Sequence, residues 1–388
     1  MIPLYRGNTL PSGPAAQRDT RFLEAHLGLW FERCFNQYDR EFAVDEQAKS
    51  AFLKGIKSLS GADGQCGDRQ RLEYALIRQR ALVNACQGRL LYRQAAWNFA
   101  TGLGNPHPVE NGFLFHPTLA VPYLPGSSVK GLVRAWIERH LPNPQAALQR
   151  LFGSEDKDPQ RCAQEFTTGD IVFFDALPIA PVKLVVDTMT PHMGKWYEKG
   201  DSAQASHADT VPADWHDPVP VQFLAANTVG MHFSFAPRRT GSDTPALLEL
   251  VEYALKQALA SLGAGAKTAA GYGVFIELSE RQADAVAQIE KQQQESEAMI
   301  AEQAENDALS EEARCIKQLQ RDAQQPNNQS PSTGSEFHRR MLEVVQQAKT
   351  WPEAEKKALA VFARQFFGQY ASKKKRKEYM AAVRDIEG

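Results

Sequence analysis

Leu262-Gly263-Ala264-Gly265-Ala266-Lys267-Thr268-Ala269-Ala270-Gly271-Tyr272-Gly273-Val274-Phe275 places four glycines and one lysine in fourteen residues. A helically periodic run, Ala246 to Leu262, leads in, and an apolar run, Tyr272 to Leu278, leads out. The pattern predicts helix, glycine loop, strand. Glycine permits positive φ and close backbone approach, successive exposed N–H groups make a concavity for anions, and Lys267 adds a point charge suited to phosphate. The nucleotide-binding P-loop, G-x-x-x-x-G-K-[ST], does not fit, because Ala266 precedes Lys267-Thr268 and the element order is reversed. A helix C-cap with Gly263 in the left-handed region needs no ligand, so taken alone the stretch is either an anion cradle or a plain cap.

Upstream, Arg89 to Thr101 alternates and predicts a strand. Gly112 to Tyr123 reads as a short hairpin. Leu124-Pro125-Gly126-Ser127-Ser128-Val129-Lys130-Gly131-Leu132-Val133-Arg134 opens a helix running to about His140. Ser127 and Ser128 can cap it. Lys130 and Arg134, four apart, project from one face near its N-terminus, where free N–H groups favour anions; a capped helix with two solvated charges is the alternative. Ile171 to Phe174, Lys183 to Val186 and Val219 to Ala225 predict strands, and Val229 to Phe235 continues the sheet. With the helix before the glycine loop, the order is strand, helix, strands, helix, strand. That is the β-α-β-β-α-β order of an α+β ferredoxin-like fold.

Additions flank this unit. Residues 1–88 read as an extended arm followed by helices; Leu23, Leu27, Trp30, Phe31, Cys34 and Phe35 mark one buried face. Residues 89–280 are the ferredoxin-like domain. Residues 281–336 read as a polar, exposed helix and then a flexible linker from Asp322 to Glu336, with almost no apolar residue to offset ordering entropy. Residues 337–388 form a helical extension with an apolar stripe, ending in the run Lys373-Lys374-Lys375-Arg376-Lys377, either a solvated helix end or an RNA contact.

Hydrophobic content of 43% and charged content of 23% describe a globular chain with a full core, and a net charge of -2 excludes a global basic field. A nucleic-acid surface must therefore be local or shared with partners. Five scattered cysteines without C-x-x-C read as reduced cytosolic thiols, so a cytoplasmic location is expected. No signal peptide or membrane span is indicated. The long insertion Asp187 to Pro220 holds Trp196, Tyr197 and Trp215, which can stack on bases, and His192, His207, Asp209, Asp214 and His216. No pair of these has metal-ligand spacing, so neither a metal nor another cofactor is expected.

Taken together, Tyr123 to Arg134, Asp187-Thr188-Met189-Thr190-Pro191-His192 and Gly263 to Gly273 resemble the RAMP superfamily of CRISPR proteins. The Thr-Pro-His motif and the opening Leu4-Tyr5-Arg6-Gly7, with Trp30, Phe31 and Tyr38, narrow the resemblance to the type III-B (Cmr) effector subunits, over roughly residues 1–280. It implies an RNA-recognition-motif-like fold and a non-catalytic structural role: holding the 3′ part of a guide RNA and aiding target RNA binding in antiviral defence. The implied partners are guide and target RNA and the backbone, head and small helical subunits of the effector. In such proteins the glycine-rich loop and the first helix face the guide backbone. That lands on Ser127, Ser128, Lys130, Arg134, Gly263, Gly265, Lys267, Thr268, Gly271 and Tyr272. The competing reading is a RAMP-type endoribonuclease acting on guide precursor or target. His116, His192, Asp175 and Asp187 are available for acid–base work, though none stands in a catalytic motif.

Overall fold

The computed structural model describes residues 26–59, 65–154, 167–199, 211–212, 216–329 and 336–387. The opening Leu4 to Gly7, Leu23, His207, Asp209, Asp214 and Trp215 lie outside these residues. Two compact units divide the chain between Gln293 and Gln294.

The first unit begins with α1 (Leu27–Arg33), α2 (Glu46–Leu59), β1 (Gln65–Cys66) and α3 (Arg69–Ala85). His26 Nδ1 accepts from Leu29 N at 3.0 Å, and Asp68 Oδ1 from Arg71 N at 2.7 Å, so α1 and α3 each start on a side-chain cap. Leu27, Phe31 and Phe35 are buried as the periodicity requires. There follow β2 (Arg89–Ala95), β3 (Asn98–Phe99), the small hairpin of β4 (Pro106–His107) and β5 (Glu110–Asn111), α4 (Gly126–His140) and α5 (Gln145–Phe152). The unit continues with β6 (Ile171–Phe173), β7 (Leu177–Pro178), β8 (Val182–Met189), α6 (Gly194–Lys199), β9 (Val221–Asn227), β10 (Gly230–Pro237), α7 (Thr244–Ser261) and β11 (Phe275–Ile276).

The main sheet runs β11-β2-β10-β6, all antiparallel, with β7 also on β10. The third strand of the β-α-β-β-α-β order therefore lies between the first and second, the split arrangement of a ferredoxin-like fold. Val129, Val133 and Ile137 of α4 and Val251, Leu255 and Leu259 of α7 are buried in one core with Leu91, Phe233, Phe235 and Phe275. The α+β ferredoxin-like fold expected from the sequence is the fold observed.

Two strand expectations need correction. Arg89 to Thr101 is not one strand: it bends at Trp97, β2 staying in the main sheet and β3 pairing β9 in a second sheet of order β1-β8-β9-β3. Val229 to Phe235 continues the sheet of β6 but not that of β8 and β9, because β9 and β10 turn the same corner through Thr228, at φ 46°. Thr228 N donates to Trp97 O at 3.0 Å, so the bends are bonded to each other. Strands commonly switch sheets at such bends, and alternation cannot show which sheet receives each half. Gly112 to Tyr123 forms no hairpin ladder, only the single bridge Phe115–Pro122.

The polar helix is likewise not wholly exposed. It is α8 (Glu280–Ala308), and its first half buries Val286, Ile289 and Gln293. Arg80 of α3 fastens that half, its Nε donating to Gln293 Oε1 at 2.7 Å and its guanidinium pairing with Glu290 at 3.1 Å.

In the second unit α9 (Glu311–Ala323), α10 (Glu336–Gln347), α11 (Glu353–Tyr370) and α12 (Lys373–Glu387) enclose their own core of Ile316, Leu319, Met341, Val345, Leu359, Phe367 and Val383. The first half of the expected linker is structured. Asn328 Nδ2 donates to Asp322 O at 2.7 Å, and Gln329 Nε2 to Ala323 O at 3.1 Å, so side-chain amides close the end of α9 in place of apolar burial. Residues 330–335 lie outside the described residues. The basic run is not a trailing end: it opens α12, whose Tyr379, Val383 and Ile386 are buried. Among the described residues no helix is long and apolar enough to cross a membrane.

Candidate nucleic-acid interface

The glycine loop is fixed by its own backbone. Gly263, at φ 72°, ends α7 with its N–H reaching Ala258 O at 3.0 Å, the left-handed cap read from the sequence. Ala264 N donates to Gly273 O at 2.8 Å, Ala266 N to Ala100 O at 2.7 Å, and Gly273 N to Asn98 O at 2.9 Å. The loop is thereby stitched to β3 and the residues after it. A Cβ on Gly265 would overlap Ala100 O, and one on Gly273 would overlap Ala264 O, whereas Gly271 faces open space. Glycine is thus required by close approach at two positions.

This stitching spends several N–H groups that an anion cradle would need. What remains open is a cleft of about 410 Å³ lined by Gly263 to Ala266, by Thr101 to Asn105, and by Pro125, Ser128 and Leu132 of the α4 start. The loop and the first helix converge on it, as expected. Ser128, Gly263 and Gly265 line the cleft; Ser127, Lys130, Arg134, Lys267, Thr268, Gly271 and Tyr272 do not.

The cap of α4 differs from expectation. Pro125 is the N-cap, with no side-chain bond, and Ser127 and Ser128 lie inside the first turn. The leading N–H, on Gly126, donates to Asp175 Oδ1 at 2.7 Å. Asp175, distant in sequence, supplies the negative charge favoured at a helix start, which no local motif reveals. Lys130 Nζ donates to Phe152 O at 3.3 Å, placing its charge at the C-terminal end of α5. Arg134 pairs with Glu138 at 2.8 Å, one turn on. Lys267, at φ 60°, lies over the Phe223 ring at 5.1 Å with Nζ 2.7 Å from Met189 Sδ.

Tyr272 is buried, 6% exposed, and its hydroxyl donates to Asp187 Oδ2 at 2.6 Å. Burial and then that bond push the phenol well above its ordinary range. It is a support, not an open base platform. The exposed aromatic is Trp97, at 47%, its ring 4.8 Å from that of Tyr272. Its place at the end of an apparent strand concealed it, since the bend that exposes it is bonded to the distant Thr228.

Of the acid–base candidates, Asp175 holds the α4 start, and Asp187 accepts from Tyr272, Asn98 and Thr188. His116 Nδ1 accepts from Thr118 N at 3.3 Å, and partial burial lowers its pKa. His192 is exposed. His216 is buried, with Nε2 2.9 Å from Val211 O. Among the described residues no three His, Cys, Asp or Glu side chains stand together as a metal site would require.

The sequence model of the RAMP superfamily matches residues 98–276, the segment that carries the first helix and the glycine loop. Over part of its length the chain is similar to Cmr6 subunits of CRISPR systems. It is 36% identical over 157 residues to the CRISPR system Cmr subunit Cmr6 of Pyrococcus furiosus, covering 38% of this chain and 39% of that one. It is 29% identical over 168 residues to the Cmr6 of Saccharolobus solfataricus, covering 43% and 48%. The chain thus spans under half the length of each of these relatives. A cryo-EM structure of the type III-B Cmr-β complex bound to cognate target RNA aligns at 20% identity and TM-score 0.44, over 60% of this chain and 74% of that one.

Proposed function

We propose that this chain is a non-catalytic RNA-binding subunit of a type III-B CRISPR ribonucleoprotein, holding the 3′ part of the guide RNA and aiding target binding. Its partners in this reading are guide and target RNA and the other effector subunits. The observation that carries it is the cleft where Gly263 to Ala266 meet Pro125, Ser128 and Leu132, backbone and hydroxyl groups able to follow a strand irrespective of sequence. The names of the Cmr6 relatives supply the assembly. Lys267, Lys130 and Arg134 flank the cleft's loop and helix and contribute charge rather than base readout.

A ribonuclease is the weaker reading, because both carboxylates singled out for it are engaged in structural hydrogen bonds. Titration of labelled RNA across a salt series tests the binding role. The Ser128→Glu/Lys267→Ala variant is expected to weaken affinity and flatten the salt slope by about 0.7 for each lost phosphate contact on a single strand. Unchanged affinity and slope in the folded variant would contradict it. In the assembled complex His116→Ala and His192→Ala are expected to leave target cleavage near wild type, and a loss of about 100-fold would mark a catalytic acid or base.

A further inference from the structure

A second and larger cleft, about 790 Å³, opens beside the sheet corner, between the start of α8, the β9–β10 turn, the first residues of β8 and the start of α3. Four cations line it, Arg69, Lys183, Arg281 and Lys291, against the single carboxylate of Asp284. All four cations are exposed at its rim. Among the described residues neither Lys183 nor Arg281 has an ion-pair partner, and Arg69 reaches only Glu73, at 3.9 Å.

The neutral polar groups of the wall are used differently. Gln94 Oε1 accepts from Ser279 N and Oγ, Gln282 Nε2 donates to Thr228 O, and Asn227 Nδ2 donates to Asn98 Oδ1. A Cβ on Gly230 would overlap the Gln282 side chain and Ile179, so α8 is seated directly on that glycine. The wall is therefore held by its own amides, and among the described residues the charges of Lys183 and Arg281 have no ion-pair partner in it. A preformed cleft with more cations than carboxylates on its wall attracts an anion.

Trp97 indicates which anion. Its ring packs on Tyr272 of the glycine loop, its carbonyl accepts from Thr228 on the rim of this cleft, and its indole is half exposed. An exposed aromatic between a glycine-lined cleft and a cationic one matches single-stranded nucleic acid, whose bases stack while its phosphates follow positive charge. An acidic peptide would use the cations and leave the indole idle.

We propose that the cationic cleft of Arg69, Lys183 and Arg281 is a second RNA site, which receives the phosphates of a single strand passing from the glycine loop over Trp97. This rests on the RNA-binding reading above and extends the track beyond the RAMP-matched residues, since α8 lies outside them.

The test is the affinity of the full chain for a fluorescein-labelled oligouridylate across a salt series, with unlabelled polyglutamate and unlabelled RNA as competitors. Lys183→Gln/Arg281→Gln is expected to weaken binding about tenfold and to lower the salt slope by about 1.4, at roughly 0.7 per phosphate. Trp97→Ala is expected to weaken binding with little change in slope, since stacking carries no charge. The charge-reversed pair Lys183→Glu/Arg281→Glu is expected to weaken binding further, with thermal melting as the check on folding. Wild-type affinity in both folded cleft variants, with loss only in Ser128→Glu/Lys267→Ala, would overturn the second site and leave the loop reading standing. Loss in the cleft variants alone would support the second site and remove the loop. Displacement by polyglutamate as effective as by RNA would overturn the proposal in favour of an acidic protein partner.

Discussion

Tyr272 Oη donates to Asp187 Oδ2 at 2.6 Å, tying the glycine loop to the end of β8, where the Asp-Thr-Met-Thr-Pro-His run begins. Two motifs 85 residues apart are joined by this bond, and Asn98 Nδ2 joins the same carboxylate at 3.1 Å. Tyr272→Phe is expected to destabilise the protein by about 1.5–3 kcal/mol, the range for a hydrogen bond to a charged group, measured by urea unfolding at neutral pH. The phenol's raised pKa means that the folded chain keeps its proton where the unfolded chain loses it. This contribution is full below the ordinary value of 10.0 and is lost as pH rises beyond it, so the gap between wild type and Tyr272→Phe should narrow in that range.

The loop glycines should separate by position. Gly271→Ala meets no neighbour and incurs only its positive φ of 89°, about 1–2 kcal/mol. Gly265→Ala and Gly273→Ala add overlap with backbone carbonyls, and each should cost several kcal/mol, beyond about 3. Thermal melting of the three variants checks this; equal losses would mean the loop is not stitched to Ala100 and Ala264 as described.

Periodicity made the helices legible: α7 lies within a residue or two of its predicted bounds. The glycine pattern gave the Gly263 cap, and the family resemblance gave the convergence of loop and first helix. What local pattern could not show depended on distant partners. Asp175 caps α4 from another strand end, the bend at Trp97 is set by Thr228, and Lys130 is held by the end of α5. The face of α8 was missed because Val286 and Ile289 make a narrow stripe, completed by Gln293 and by Arg80 some two hundred residues earlier.

His232 lies on β10, wholly buried, its ring 5.1 Å from that of Tyr92, and among the described residues neither ring nitrogen has a hydrogen-bond partner. Burial, and then the nearby Arg80 charge, lower its pKa to about 3. Below the ordinary value of 6.5 the unfolded chain binds a proton that the folded one refuses, so stability is full above 6.5 and is lost as pH falls toward 3. His232→Phe keeps a ring against Tyr92 and removes the titration. Denaturation midpoints measured from neutral to acid should fall less steeply in this variant than in wild type.

The C-terminal unit should be separable, and the cut matters. A chain stopped after Ser279 loses Val286, Ile289 and Gln293 and leaves the buried Arg80 without Gln293 and Glu290, a loss of about 3–5 kcal/mol for a broken buried pair, discounted because Glu290 is half exposed. A chain stopped a turn beyond Gln293 keeps them. The longer piece should be soluble with a cooperative melt and the shorter one less stable; equal stability would place α8 outside the first unit's core.

The most direct measurement is photo-crosslinking of thiouridine-substituted RNA to the full chain, with the attached peptides identified by mass spectrometry. The account predicts crosslinks within 97–105, 124–134 and 262–273, the segments around the cleft of Ser128, Gly263 and Gly265. RNA retained by the chain with no crosslink in any of these three segments would contradict it.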